Sequence, residues 1–485
     1  MVYDDAAYDK KPSDCSHGQA RGSSQLEEKS GLKRSNISQL RSGSRKTRNI
    51  EGLKKLIDEL ALSPEEYEEI KEAFWISCYG MEEYKFRKEI AQMLGIFKPG
   101  LGMEVNANVS ISLPKVRVLS NVMDVKFYMH GAILREASKK QGHIKLIMQG
   151  GIPELYSDLA AMLRLNEQLT VEHILCLQSP KDDRISAERK NMSFIKEIVP
   201  AILAGAGNRY KVYYYYSHIL SRFGNEGRMP YALLMEDCVI HISTDFSKAF
   251  VTEDMEEIKL YNTLYDEQKQ HTSPLFAQLP VGIDRLTYQL ENRDDRGTGT
   301  YSLMYQPCMG VFPIDYLVDK YVVDCPEIRA LIREICMKAQ APKKGVKNTV
   351  SYFQKDGIRL LMEKGIFTEI PEEICRPIDE GDRIHLLEIL INAIEQRNYE
   401  TYLINEEAIS VVPELSLYAM GEDTAMLFMK EKNNPVCFTF LEKTISWSIY
   451  NFIKKLKKSR YTLSRKETLL FLKETLDDYK ERRGE

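Results

Sequence analysis

The chain has 485 residues, of which 43% are hydrophobic and 28% are charged, and its formal net charge is −4. These values are ordinary for a soluble globular protein, and the length indicates two to four domains. No run of about 18 apolar residues is present, so the sequence predicts no membrane-spanning helix and no membrane partner. The N-terminus lacks the apolar stretch of a secretory signal, and the nine cysteines include no CxxC pair. We therefore expect a cytoplasmic protein with reduced thiols and no structural zinc.

Residues 1–22 are mostly polar and are interrupted by Pro12. Two interpretations stay open for them: a weak helix near residues 4–11, or a partly disordered terminus.

One stretch of the negatively charged chain is locally positive. It covers residues 23–48, with the sequence SSQLEEKSGLKRSNISQLRSGSRKTR. Between residues 29 and 50 there are seven lysines and arginines and no acidic residue. Leu26 marks a first short helix, and Gly31 supplies a turn at which a positive φ costs little. Ile37 and Leu40, three positions apart, share one face of a second short helix near residues 33–41. The order helix, glycine turn, helix predicts a helix-turn-helix on a basic surface suited to polyphosphate backbones.

The stretch LEEKSGLKRSNISQLRSG resembles the helix-turn-helix of bacterial XRE-type (lambda-repressor-like, Cro/CI) transcriptional regulators. The resemblance is carried by leucine, glycine, aliphatic and small hydroxyl positions, namely Leu26, Gly31, Leu32, Ser35, Ile37, Ser38, Leu40 and Gly43. The sequence departs from the family pattern at Glu27, where alanine is usual, and at Lys33, where a small polar cap is common. The resemblance implies binding of double-stranded DNA, with the second helix in the major groove.

The exposed face of that second helix is expected to hold the side chains that contact base edges, namely Lys33, Arg34, Asn36 and Gln39. Arginine and lysine pair with guanine, whereas asparagine and glutamine pair with adenine. A further set is better suited to phosphates, namely Ser35, Ser38, Arg41, Ser42, Arg45 and Lys46. We expect Arg34 and Gln39 to carry most of the base discrimination.

From residue 53 onward the apolar spacing is helical. Ser63 followed by Pro64 and Glu66 is a typical helix start, with a capping serine, proline in the first turn and a capping glutamate. A second helix is predicted over residues 81–94, closed by Gly95. This segment is similar to the helices that follow the DNA-binding domain in a group of large bacterial regulators. Two roles stay open for it: dimerisation, or packing within the chain.

Residues 116–280 show α/β patterning. Apolar runs at residues 144–149 and 171–177 flank a helical stretch at residues 153–165, which predicts a βαβ unit with a parallel strand pair. Residues 231–243 predict a hairpin that turns at Glu236 and Asp237. This region is similar to the C-terminal part of those large regulators, which implies a sensing or assembly role. Residues 281–485 are expected to be mainly helical and end in a helix that Ser464 caps.

Motifs for catalysis are sparse. The glycines around Gly205 lack the third glycine and the GK[ST] ending that phosphate-binding loops have. The adjacent pair Gly150 and Gly151 is explained by a tight turn between a strand and a helix. The histidines form no HExxH motif, and no GxSxG motif occurs. Tyr213 to Tyr216 alternate along a predicted strand, so two should face the core and two a helix or a pocket. No catalytic residue, cofactor or metal ligand is therefore assigned.

The sequence as a whole predicts a multidomain protein: an all-α helix-turn-helix domain and helical connector, then a mixed α/β (α+β) C-terminal region that ends in helices. The expected parts are residues 1–62, 63–96, 116–280 and 281–485. We expect a DNA-binding transcriptional regulator that is not an enzyme. It should work as a homodimer, because paired half-sites raise specificity. Its C-terminal region should respond to an unknown effector. The alternatives are an enzyme with its pocket in residues 116–280, or a helical scaffold without DNA binding.

Overall fold

The structure is a computed structural model, and it describes only part of the chain. The described ranges are residues 62–96, 117–181, 183–205, 208–216, 229–279, 300–307, 311–340, 350–412, 415–431 and 434–484, with residues 33, 35, 53, 57, 113, 115 and 287. Residues 1–22 and all of the predicted helix-turn-helix except Lys33 and Ser35 lie outside them. The chain divides into two compact units, Met1–Lys88 and Glu89–Glu485.

In the first unit, helix α1 (Pro64–Tyr79) begins as the sequence predicts. The Ser63 hydroxyl accepts a hydrogen bond from the Glu66 amide, and the Glu66 carboxylate accepts one from the Ser63 amide. This reciprocal capping box satisfies backbone donors that the first helical turn leaves unpaired. Helix α2 (Met81–Ile96) follows after Gly80, which has a φ of 80°. A small apolar core joins the described residues Leu53, Ile57, Phe74, Trp75 and Tyr84.

The second unit contains two mixed sheets. The first has eight strands in the order β1-β7-β6-β5-β2-β3-β4-β8. Its strands are β1 Val118–Leu119, β2 His143–Ile147, β3 Thr170–Leu177, β4 Tyr210–Tyr216, β5 Tyr231–Leu234, β6 Val239–Ile242, β7 Ala249–Thr252 and β8 Ser273–Pro274. Strands β2, β3 and β4 are mutually parallel, whereas β5 runs antiparallel to β2 and continues into the antiparallel β6 and β7.

The second sheet has seven strands in the order β12-β11-β10-β13-β14-β15-β9. Its strands are β9 Phe276–Gln278, β10 Thr300–Leu303, β11 Val350–Phe353, β12 Glu400–Leu403, β13 Ser416–Met420, β14 Ala425–Glu431 and β15 Asn434–Phe440. Strands β10, β11 and β12 are parallel, and β13 runs antiparallel to β10 and continues into β14 and β15.

The two sheets therefore share one plan. Strand β9 corresponds to β1, the parallel set β10–β12 to β2–β4, and the antiparallel set β13–β15 to β5–β7. Even the edge strand β8, which pairs with β4, has a counterpart in the isolated bridge between Ile404 and Thr462, just after β12. The same strand order and the same strand directions indicate an internal structural duplication within the unit.

Helices connect and cover the strands. Those of the first half are α3 Val122–Ala137, α4 Pro153–Leu165, α5 Arg184–Ala204 and α6 Met255–Gln270. Those of the second half are α7 Ile314–Tyr321, α8 Pro326–Gln340, α9 Lys355–Lys364, α10 Glu380–Glu395, α11 Lys443–Lys455 and α12 Arg465–Arg483. Helix α4 packs along α5, and Ile258 and Tyr265 of α6 pack on the face that carries Ile174 and Cys176. Helix α11 packs against α5 and so links the two sheets.

The expectation of a multidomain protein with a mixed α/β region is confirmed by these two sheets. The predicted βαβ unit is β2-α4-β3, and the predicted hairpin is β5-β6, whose turn holds Glu236 and Asp237. The described part of residues 300–484 does contain many helices, but it also forms six strands that were not predicted from the sequence. Strands β10 to β12 have four residues each, too few to show a period. The four-part division of the chain stays a prediction.

In the part of the chain that the structure describes, no helix combines the length and apolarity that crossing a bilayer requires.

Candidate ligand cleft and the predicted DNA-binding residues

The residues predicted to contact DNA fall almost entirely outside the described part of the chain. Lys33 and Ser35 are the described members of the set, and both are exposed. Ser35 is helical, whereas Lys33 is not. All of the base and phosphate contacts, those of Lys33 and Ser35 included, stay predictions.

A small cleft lies at the carboxyl ends of β2, β3 and β4, beside the start of β5, and its cavity volume of about 10 Å³ has room for about one water molecule. The chain passes from β2 to β3 and β4 on one side, then returns to place β5 on the other side of β2. In open α/β sheets such a point of reversal leaves a crevice at the carboxyl ends of the strands, where ligands bind. The lining residues are Ile147, Met148, Gln149, Ile174, Cys176, Tyr215, Pro230 and Tyr231.

The polar groups of the cleft are few and uncharged. The Gln149 side-chain amide donates a 2.5 Å hydrogen bond to the Cys176 carbonyl oxygen, which fixes the direction of the amide. Its Oε1 accepts a long 3.5 Å hydrogen bond from the Tyr231 hydroxyl. Burial raises the pKa of Tyr231, so this phenol is neutral at physiological pH. The polar side chains of the cleft are therefore one amide, two phenols and one thiol on an otherwise apolar wall.

The corresponding edge of the second sheet is filled by the chain itself. Gln306, which follows β10, donates to the carbonyl oxygens of Gly357 and Ile366 and accepts from the Thr368 amide. Helix α9 packs so closely here that a Cβ atom on Gly357 would lie 1.8 Å from the Tyr305 carbonyl oxygen. Only glycine fits such a close approach. Among the described residues, the equivalent edge of the first sheet keeps the small cleft, whereas this edge is filled.

The wall beneath the cleft contains a buried histidine. The His173 Nδ1 lies 2.8 Å from the Tyr210 hydroxyl, and its Nε2 lies 2.9 Å from the Met148 carbonyl oxygen. Because a carbonyl oxygen only accepts, Nε2 carries the proton, and Nδ1 accepts from the phenol. Burial lowers the pKa of His173 to about 4, since the charged imidazolium would lose its hydration there. His173 is therefore a neutral imidazole that two hydrogen bonds hold in the core.

The turn before α4 already holds an anion from the chain. The Glu197 carboxylate accepts a 2.6 Å hydrogen bond from the Gly151 amide. Burial raises the pKa of Glu197, and the bond from Gly151 opposes that shift. Gly151 has a φ of 117°, which side-chain-bearing residues rarely adopt. The glycine pair is therefore explained by turn geometry, and a carboxylate of α5 occupies the position open to an anion.

A buried hydrogen-bond network joins the two sheets near the cleft. Glu442 is fully buried at the start of α11 and accepts from the Tyr216 hydroxyl, the Thr444 hydroxyl and the Ile445 amide. Three donors satisfy the buried carboxylate, as a charge away from water requires. Tyr216 is the last residue of β4, next to Tyr215 in the cleft wall. The end of β4 thus connects the cleft to the second sheet.

The tyrosine run behaves as the alternation predicts. Tyr215 packs in the core beneath α6 and reaches the cleft, and Tyr213 packs on the same face. Tyr214 and Tyr216 lie on the opposite face, where their rings meet edge to face with centroids 5.3 Å apart. Sequence reasoning did not single out the other cleft residues, because they lie on three different strands and the loops beyond them. The run Met148-Gln149 after a strand was the available signal, and it is weak.

Comparison with known proteins gives little more. No protein-family model matches the chain, and no curated protein matches it. One similar solved structure is that of TrmBL2, an archaeal chromatin protein described as showing a novel mode of DNA binding. It is 10% identical to this chain, and the match covers 47% of this chain and 72% of TrmBL2, with a TM-score of 0.21. A phosphatidylserine synthase from Haemophilus influenzae Rd KW20 is 9% identical over 82% of this chain and 98% of its own, with a TM-score of 0.24.

These similarities are too distant to assign a function to this chain. One expectation is corrected: the protein was expected not to be an enzyme, and one of the two structures to which it is similar is that of an enzyme. The physical reason for the error is that the expectation rested on missing sequence motifs, whereas catalytic groups are brought together by the fold.

Proposed function

We propose that this protein is a sequence-specific DNA-binding transcriptional regulator of the helix-turn-helix type. The observation that carries the proposal is the run of seven positive charges without an acidic residue between residues 29 and 50, in a chain of net charge −4. The spacing of Leu26, Gly31, Ile37 and Leu40 within it suits two short helices. The exposure of Lys33 and Ser35 supports a solvent-facing surface there.

In this proposal, the second short helix enters the major groove. Arg34 and Lys33 contact guanine, and Asn36 and Gln39 contact adenine. The basic residues after the helix, such as Arg45 and Lys46, hold phosphates and set the register without reading sequence. A homodimer in the cytoplasm would place two such helices on successive half-sites, and the two-sheet unit would bind the effector.

The experiment is selection of fragments from a genomic DNA pool by the purified protein over a salt series. We expect sequence-selective enrichment whose affinity falls steeply with salt, because phosphate contacts release counterions. Arg34→Ala should relax preference at one base pair by about 1–3 kcal/mol, and Gln39→Ala should do so at another. Lys259→Ala, which removes one exposed positive charge from α6, is the matched control and should leave the preference unchanged.

Two results would contradict the proposal. If no sequence is enriched at any salt concentration, the chain is not a sequence-specific regulator, and the scaffold alternative gains. If Gln39→Ala and Arg34→Ala both keep the parent preference while still binding, the assignment of the reading helix is wrong.

Catalysis in residues 116–280 is the second candidate function. The observation that favours it is the position of the cleft, because α/β enzymes bind substrates at the carboxyl ends of such strands. Turnover of a candidate substrate that is abolished by changing Gln149 or Tyr231 would establish it, and turnover that survives both changes would exclude this cleft as its site.

A further inference from the structure

We propose that a basic turn between α11 and α12 binds the phosphate backbone of double-stranded DNA without reading its sequence. The basic turn is residues 454–466, KKLKKSRYTLSRK, which cover the end of α11, the start of α12 and the residues between them. The choice of DNA among polyanions rests on the proposed function, whereas the affinity of the turn for phosphates does not. The positive charges of the basic turn are those of Lys454, Lys455, Lys457, Lys458, Arg460, Arg465 and Lys466.

The first argument concerns the density of charge. Seven of the thirteen residues of the basic turn are lysine or arginine, and none is acidic. In the whole chain the 71 acidic residues outnumber the 67 lysines and arginines, so the basic turn departs from the overall composition as residues 29–50 do. All of its lysines are exposed, and its two arginines are partly exposed. Such a group of positive charges attracts the closely spaced phosphates of a duplex and releases counterions from it on binding.

The second argument concerns the backbone beneath these charges. The basic turn runs beside β12, at one end of the strand order of the second sheet. The Leu463 amide donates a 2.9 Å hydrogen bond to the Leu403 carbonyl oxygen, and the Asn405 amide donates one of the same length to the Tyr461 carbonyl oxygen. The buried hydroxyl of Ser459 accepts from the Tyr461 amide at 3.1 Å. The lysines therefore extend from a fixed backbone, so binding costs less ordering entropy than it would for a flexible tail.

The third argument concerns the acidic neighbours. Lys457 forms an ion pair with Glu400 of β12 and still keeps 41% of its side chain exposed. The Glu467 carboxylate, which follows the basic turn in sequence, accepts a hydrogen bond from the Ser464 amide in the capping box of α12. An exposed ion pair contributes only about 0–1 kcal/mol, so a phosphate can replace a carboxylate as the partner of such a lysine.

The residue types favour a phosphate backbone over a protein surface or a membrane. Five of the seven positive residues are lysines, which are depleted at the centres of protein–protein interfaces. The apolar side chains of the basic turn, all of which the structure describes, are Leu456, Tyr461 and Leu463, and none is exposed. An interfacial membrane helix needs exposed apolar side chains. Lysine binds phosphate oxygens as a point charge, and such contacts position a protein on DNA without specifying sequence.

The test measures the affinity of the full-length protein for two labelled duplexes by fluorescence anisotropy over a salt series. The duplexes have unrelated sequences, one rich in G·C and one rich in A·T, and each spans about 20 base pairs, or two helical turns. The turn variant combines three substitutions that remove charge and keep most of the side-chain length, namely Lys455→Gln, Lys458→Gln and Lys466→Gln. The matched control removes three exposed lysines around the first sheet, by Lys211→Gln, Lys248→Gln and Lys259→Gln.

The expected result is a loss of affinity that does not depend on sequence. Each phosphate contact contributes about 0.9 to the slope of log affinity against log salt, so the turn variant should have a slope shallower by up to about 3 on both duplexes. Its affinity at low salt should fall by about tenfold or more, whereas the control should bind like the parent protein. Circular dichroism establishes that each variant is folded. Lys466→Gln alone removes a positive charge from the first turn of α12, where it opposes the helix dipole, and should still make the slope shallower by about 1.

Vesicles of phosphatidylcholine and phosphatidylserine in equal parts provide the competing anionic surface. The proposal is overturned if the turn variant keeps the parent affinity and salt slope, if it loses affinity for only one duplex, or if it loses binding to the vesicles but not to DNA. Turn-dependent binding to both duplexes without enrichment of any sequence in the DNA selection would remove the proposed function and leave this proposal standing. Sequence enrichment by a protein whose salt slope ignores the turn variant would do the reverse. If the parent protein binds neither duplex at low salt, both fail.

Discussion

Acid should destabilise the two-sheet unit through His173, and the size of the effect follows from its burial. The imidazole is fully buried between the Tyr210 hydroxyl and the Met148 carbonyl oxygen, and its pKa is lowered from 6.5 to about 4. A folded-state pKa below the unfolded one means that protons bind the unfolded chain preferentially. The stability from neutral His173 is therefore complete above pH 6.5 and is lost as the pH falls from 6.5 toward 4.

The magnitude follows from linkage. Lowering the His173 pKa from 6.5 to about 4, at about 1.4 kcal/mol per pKa unit, corresponds to about 3 kcal/mol in the free energy of unfolding when the loss is complete. Between pH 7 and pH 5, the same two pKa values give a loss of about 2 kcal/mol in the free energy of unfolding. That is a large share of the 5–15 kcal/mol, roughly, by which proteins are usually stable.

The assay is urea unfolding at pH 7 and pH 5, followed by the fluorescence of Trp447 in α11. The chain has two tryptophans, so a Trp75→Phe background leaves Trp447 as the single reporter for this unit. The matched variant is His173→Gln, which keeps a donor for Met148 and an acceptor for Tyr210 but cannot be protonated. Between pH 7 and pH 5, the free energy of unfolding of the parent protein should fall by about 2 kcal/mol more than that of the variant. Equal losses would refute the reasoning, because every other titrating group is common to both proteins.

The same unfolding assay at pH 7 tests two further predictions. Gly357→Ala should lower the free energy of unfolding by more than about 3 kcal/mol, because the new Cβ would overlap the Tyr305 carbonyl oxygen. The control is Gly381→Ala, whose new Cβ has no atom within 4 Å. This substitution should leave the free energy of unfolding unchanged or raise it by up to about 1 kcal/mol. Similar effects at the two glycines would contradict the close packing of α9. Tyr216→Phe should cost about 1–3 kcal/mol because it removes a donor from buried Glu442, and no loss of stability would mean that water reaches this carboxylate.

Local features of this fold were predictable because their signals lie within a few residues of one another. The capping boxes at Ser63 and Ser464 depend on a glutamate three positions later, and both form as expected. The β2-α4-β3 unit was predicted from a change of apolar period, and the β5-β6 hairpin from two apolar runs around Glu236 and Asp237. The alternation of the tyrosine run likewise follows from strand geometry alone.

The cleft was beyond prediction for a different reason. Gln149, Cys176 and Tyr231 come from three separate segments, and neither their residue types nor their spacing forms a motif. Their proximity depends on β5 pairing with β2 rather than with β4, the strand that precedes it in the chain. No local pattern records that choice.

From its sequence alone, this protein could be interpreted as a multidomain α/β chain with a basic helix-turn-helix segment, because charge runs, caps and apolar periods are local properties. The tertiary structure decided that residues 117–484 form two sheets of one plan, since the pairing of β15 with β9 joins residues about 160 positions apart. It also decided that, among the described residues, α9 closes the carboxyl edge of the second sheet while the first sheet keeps a small cleft there. Such outcomes depend on which buried surfaces meet, and that is a property of the folded chain rather than of any short stretch of it.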